Sequence, residues 1–136
     1  MKNIVLILFV GLAALSCRKR LDGFLFNPSQ IESYQLDAYQ GELSLDLAGE
    51  FGVPNSMIHH LEWNVELEEG SAKMSAIYVG DLASIATDTV ILYCHGNKDH
   101  MDFYWPRQKL YAHAGGLGRY GVLMFDYPSF GLSEGK

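Results

Sequence analysis

Positive charge is scarce in this chain. Ten Lys and Arg stand against sixteen Asp and Glu, a formal charge of −6. A nucleic-acid binder needs a basic face to neutralise phosphates, so nucleic acid is not expected as a partner. There are only two cysteines, Cys17 and Cys94, too few for a disulfide framework. Cys94 sits in an apolar run, where a thiol acts as a small hydrophobe. There is no HExxH or His-x-His arrangement, so the usual ligand spacing of a hydrolytic metal site is missing. His95, Asp99 and His100 therefore read as solvated loop residues, and neither metal nor cofactor is expected. Internal repeats and low-complexity segments are also lacking. The 49% hydrophobic and 12% aromatic content of the 136 residues suits one modest folded domain.

No apolar run reaches the roughly 20 residues that a spanning helix needs. Ile4 to Leu15 is continuous but shorter, within the range of about 7–15 residues for a signal-peptide core. Lys2 precedes it, and Ala14-Leu15-Ser16-Cys17 ends it. This segment resembles a bacterial lipoprotein signal, which implies lipidation of Cys17, export, and anchoring to the cell membrane or outer membrane. An uncleaved short anchor and an ordinary secretory signal are the alternatives. Residues 1–16 are thus assigned to the signal, 17–56 to a tether and extension, and 57–136 to the folded domain.

In the extension, Ser29-Gln30-Ile31-Glu32 has capping-box spacing, so a short helix is expected to start there. Leu43, Leu45 and Leu47 alternate with polar residues and suit a strand. Phe24, Phe26, Tyr34, Tyr39 and Phe51 are expected to pack the extension onto the domain. Leu61, Trp63, Val65 and Leu67 then alternate with Glu62, Asn64 and Glu66, the pattern of a strand with one buried face. Turn residues at 68–71 lead into a second strand, Lys73 to Val79, completing an antiparallel hairpin. Val90 to Cys94 has no polar alternation, which suits a strand covered on both faces. A helix follows, roughly Asp102 to Ala114, with Leu110, Tyr111 and Ala114 on one face. Pro106 is tolerable only in or near its first turn. Gly115-Gly116 closes the helix, and Val122 to Phe125 is another buried strand. Hairpin, strand, helix, strand is the start of an α/β sheet.

Two segments carry the chemistry. His95-Gly96-Asn97 follows one buried strand. Asp126-Tyr127-Pro128-Ser129-Phe130-Gly131-Leu132-Ser133-Glu134-Gly135 follows the next. Together, over about Ile58 to Lys136, they resemble the α/β-hydrolase family, in particular serine esterase and peptidase-like members with an HGN segment. The family often has arginine and glycine where Pro128 and Ser129 stand. The resemblance implies that the backbone N–H of Asn97 is an oxyanion donor, with Gly96 admitting the tight turn and His95 shaping the loop. It implies an ester, thioester or amide substrate, small or peptidic. It also places the Val90–Cys94 strand between the fourth strand and the nucleophile-bearing fifth, so that on its own it would be an apolar edge.

Gly131-Leu132-Ser133-Glu134-Gly135 matches G-x-S-x-G. A nucleophile elbow, however, needs a strand ending at the serine and a helix starting there. Here the strand ends near Asp126, so Ser133 is expected to be structural. No other serine sits in an elbow, so the triad is expected beyond Lys136. The chain then reads as the N-terminal, incomplete portion of a hydrolase sheet, inactive alone. A non-catalytic lipoprotein using the fold as a binding module is the rival reading. An aspartate nucleophile, as in dehalogenase-like members, is a third.

Overall fold

In a computed structural model, residues 25–42, 49–68 and 70–135 are described. The signal segment, Cys17, Phe24 and the alternating leucines at 43–47 lie outside them. No helix among the described residues is long and apolar enough to cross a membrane.

The extension contributes a two-residue strand, β1 (Asn27–Pro28), and a 3-10 turn at Leu36–Ala38, and a second 3-10 turn, Asn55–Met57, leads into the hairpin. The expected hairpin follows as β2 (Ile58–Leu67) and β3 (Gly70–Val79), paired antiparallel from Ile58↔Val79 to Leu67↔Gly70. Next come β4 (Val90–Tyr93), the short β5 (Lys98–Asp99), helix α1 (Met101–Ala112) and β6 (Gly121–Phe125). The main sheet has the order β2-β3-β6-β4, with β3 and β6 antiparallel and β4 and β6 parallel. The architecture is α/β, as the element pattern predicts.

The core lies between α1 and one face of this sheet. Strand side chains alternate, so Ile77 and Val79 of β3 and Val122 and Met124 of β6 share that face. They meet Met101, Tyr104, Trp105 and Ala112 of the helix. β3 has neighbours on both sides and is buried from Met74 to Val79. Burying one large side chain of this kind stabilises by roughly 1.5–3 kcal/mol.

Five expectations need correction. Ser29–Glu32 starts no helix. The Gly131 N–H donates to Ser29 O at 2.8 Å and the Ile31 N–H to Gly131 O at 3.1 Å, so this backbone is already engaged in a bridge. β4 is not covered on both faces: it pairs only with β6 among the described residues, and Leu92 is 58% exposed. Cys94, just beyond the strand, is exposed rather than packed as an apolar residue. Trp63 is 39% exposed, and Leu61, Val65 and Leu67 are only half-buried, so the inward face of β2 is incompletely covered.

The fifth correction concerns α1. Its buried face is Met101, Asp102, Tyr104, Trp105, Gln108, Lys109 and Ala112, whereas Tyr111 is exposed. Three of these residues are polar, and each has a partner away from the helix. Gln108 Nε2 donates to Ile77 O at 2.8 Å and Val122 O at 3.2 Å. Lys109 pairs with Asp37, which also accepts the Trp105 Nε1–H at 3.0 Å. Asp102 accepts the N–H groups of Gln35 and Leu36, both at 2.8 Å. Pro106 falls in the second turn, not the first. There it deprives the Asp102 carbonyl of its helical partner. The extension crosses at this point: a Cβ on Gly41 would lie 2.8 Å from Pro106 Cγ, and the Glu42 N–H donates to Phe103 O at 2.8 Å. Gly115 and Gly116 take φ of +72 and +107 just past the helix, as a glycine stop requires.

Candidate active site

His95, Gly96 and Asn97 form the turn between β4 and β5. Three directions of contact hold it. From above β6, Tyr127 Oη donates to His95 O at 2.9 Å. From α1, Tyr104 Oη donates to Lys98 O at 3.2 Å. From the extension, Asn27 N–H donates to Asn97 O at 3.0 Å, and the Asn97 side-chain amide donates to Leu25 O. β1 continues this contact as a parallel pair with β5, Asn27↔Lys98 and Pro28↔Asp99. The Asn97 backbone N–H makes no hydrogen bond among the described residues.

Gly96 is required for internal packing. A Cβ there would lie 2.7 Å from the Tyr104 hydroxyl.

His95 is buried, its ring 4.7 Å from Tyr127, 5.1 Å from Tyr104 and 5.8 Å from Phe130 between centroids. Nδ1 lies 2.7 Å from Gly96 O. Nε2 lies 3.0 Å from Asp126 Oδ1, close enough for an ion-pair contact but off the line of a hydrogen bond. The His95 ring is therefore packed inside the loop. His100 departs from expectation: it is buried against Tyr39, with ring centroids 5.0 Å apart, and is not a solvated loop residue. Asp99 sits at φ +57 beside Lys98. No group of three or more His, Cys, Asp or Glu able to hold a metal occurs among the described residues.

Asp126, at the end of β6, is a hub that sequence reasoning did not find. Its Oδ1 accepts the Met101 N–H at 2.9 Å, giving the first N–H of α1 a partner. The residue capping that helix, His100, supplies no side-chain bond of its own. A carboxylate there also meets the positive end of the helix. Its Oδ2 accepts the Tyr34 hydroxyl at 2.5 Å. Burial first, and then the Asp126 charge, push the Tyr34 phenol well above its ordinary value near 10. The folded state thus keeps Tyr34 neutral at pH values where the unfolded chain ionises it. The resulting stability is fully present below pH 10 and is lost as pH rises beyond it. Urea midpoints should therefore fall between neutral and strongly alkaline pH, and Tyr34→Phe should flatten that fall. A fall unchanged in Tyr34→Phe would refute the role of this phenol.

The loop after β6 folds back under the hub. Ser129 takes φ +72, a position where the resembling family often has glycine. Ser133 is 1% exposed, with Oγ donating to Asp126 O at 2.7 Å and accepting the Ser75 N–H at 2.9 Å. Both capacities of the hydroxyl are used, and no helix starts there. Ser133→Ala should therefore abolish no ester turnover. It should instead destabilise by about 1–3 kcal/mol, because the Ser75 N–H is left buried without a partner. Loss of turnover with unchanged stability would reinstate Ser133 as a nucleophile.

These loops enclose a cleft of about 480 Å³, lined by Phe26, Pro28, His95, Asn97, Tyr127, Pro128, Ser129 and Phe130. Its volume lies within the range of about 300–1,000 Å³ typical of small-molecule sites. A larger depression of about 590 Å³ at the turn end of the hairpin is lined by Leu67, Glu68, Ser71, Pro128 and Glu134, among others. It brings together no set of groups suited to acyl transfer.

No family model and no curated protein matches the chain. Among solved structures, the crystal structure of the "Putative hydrolase" from Agrobacterium vitis S4 overlaps 57% of this chain, with 20% identity and a TM-score of 0.41. The chain spans 28% of that protein's length.

Proposed function

We propose that this chain is the N-terminal part of a serine hydrolase of the α/β class, cleaving an ester, thioester or amide. It supplies the oxyanion loop, with Asn97 as donor. The observation that carries this reading is the Asn97 backbone N–H. Its own side chain and carbonyl are tied down, yet the N–H has no hydrogen-bond partner among the described residues, in a loop that lines an apolar cleft. A fixed, unspent donor of this kind is what a developing oxyanion needs, and losing one typically costs about 2.7–4 kcal/mol of transition-state stabilisation. The nucleophile, acid and base are assigned to sequence following Lys136, and Cys17 to a lipid anchor on the exported protein.

The downstream coding sequence tests the proposal. A strand ending in G-x-S-x-G with a later histidine supports it. So does turnover of p-nitrophenyl esters by the longer polypeptide that disappears when the elbow serine becomes alanine. The absence of such an elbow would favour the second reading, an exported binding module, which the apolar lining of the cleft also suits. The anchor has its own measurement: incorporation of labelled palmitate in a bacterial host, which Cys17→Ser should abolish. Equal labelling of both forms would refute lipidation at Cys17.

A further inference from the structure

The extension does more than pack on the domain. Its segment Leu25–Gln30 is fixed along its length: by the Asn97 side chain to Leu25 O, by Asn27 N–H to Asn97 O, by the β1–β5 pair, and by the bridge from Gln30 to Gly131. On this pinned backbone Phe26 is 58% exposed and Leu25 41% exposed. Phe26 and Pro28 form one wall of the cleft; Tyr127, Pro128 and Phe130 form the other. The polar side chains of the lining are engaged elsewhere. The Asn97 amide is held by Leu25, His95 faces Gly96 O and Asp126, and Ser129 Oγ donates to Gly135 O at 2.7 Å. No Lys or Arg lines the cleft, so nothing there recognises a carboxylate or phosphate. What remains is apolar surface and backbone, including the Asn97 N–H, which has no hydrogen-bond partner among the described residues.

We infer that Phe26 is a specificity-determining residue and that this wall selects neutral esters or thioesters with an apolar acyl chain over acetyl esters. The inference rests on the cleft being the acyl-transfer site. The acyl carbonyl lies at the Asn97 N–H and its chain runs between Phe26 and the Tyr127–Phe130 rings. A mostly exposed ring gains contact area only when such a chain covers it, which is where the preference originates.

The experiment is photolabelling of the full chain with an octanoate ester carrying a diazirine, with labelled residues located by mass spectrometry. Label is expected on Phe26 and on residues 127–130. Ethyl octanoate should compete about tenfold better than ethyl acetate. Phe26→Ala should bring the two competitors to within about twofold, while Phe26→Leu, which keeps an apolar wall, should retain most of the preference. Because Phe26 is exposed, both variants should keep the wild-type melting curve. A preference unchanged in Phe26→Ala would overturn the inference, as would label confined to the hairpin end near Leu67 or to the Leu92 edge. An octanoyl preference without ester turnover by the longer polypeptide removes the hydrolase reading, and with it the catalytic part of the inference, and leaves Phe26 only as a wall that binds apolar chains. Turnover indifferent to acyl length removes the role of Phe26 and leaves the hydrolase.

Discussion

Asp126→Ala is expected to cost about 3–5 kcal/mol of stability, the range for removing one member of a buried charged network. Three groups lose their partner at once. The Met101 N–H at the start of α1 is orphaned, and the Tyr34 hydroxyl is left without its acceptor. Nε2 of the buried His95 loses the carboxylate 3.0 Å away. All three are buried or partly buried, so water does not readily replace the carboxylate. For a domain of this size the melting temperature should fall by more than about 10 °C. The variant should also disorder the 95–97 loop, because His95 is one of the groups holding it. A melting temperature within about 3 °C of wild type would show that Asp126 is not the hub described.

Gly131→Ala should be the other severe substitution. Gly131 has φ +53, which alone costs an L-residue about 1 kcal/mol. The steric clash costs more. A Cβ there would lie 1.7 Å from Asp126 Oδ2, 2.6 Å from its carboxyl carbon and 2.9 Å from the Tyr34 hydroxyl. Either the loop or the carboxylate must move, and moving the carboxylate breaks its hydrogen bonds. The expected loss is about 3 kcal/mol or more, measured by urea unfolding. Gly116→Ala is the control: it also has positive φ, +107, but a Cβ there meets nothing within 4 Å. Its cost should stay near the conformational value of about 1–3 kcal/mol. Equal losses in both variants would mean that backbone strain, not the contact with Asp126, governs Gly131.

Elements with local signatures were legible. The β2–β3 hairpin shows in the alternation from Leu61 to Leu67 and the turn residues after it. The β4–α1–β6 unit shows in two apolar runs and the Gly115-Gly116 stop. The structural role of Ser133 followed from its distance past the end of β6. The buried face of α1 was not legible. Asp102, Gln108 and Lys109 look like solvent-facing residues in sequence, and only distant partners at Gln35–Asp37, Ile77 and Val122 make their burial tolerable. The β1–β5 pair was equally hidden, because two-residue strands carry no periodicity. The bond from Tyr34 to Asp126 joins residues 92 apart, and no local pattern announces it.

The HGN turn shows how the two levels divide. Sequence alone determined that a glycine-containing loop follows an apolar strand, and that a second strand and an acidic loop follow one helix later. Those features depend on residues within a few positions of each other, where backbone conformation and side-chain periodicity decide. Tertiary structure alone decided that the Asn97 carbonyl and side chain are held by the extension, that Asp126 and Tyr34 tie the extension to the helix start, and that Phe26 lines the cleft. Those outcomes depend on which polar groups find partners across the fold. Hydrogen bonding is short-ranged and directional, so the pairing exists only once packing has brought the distant segments together.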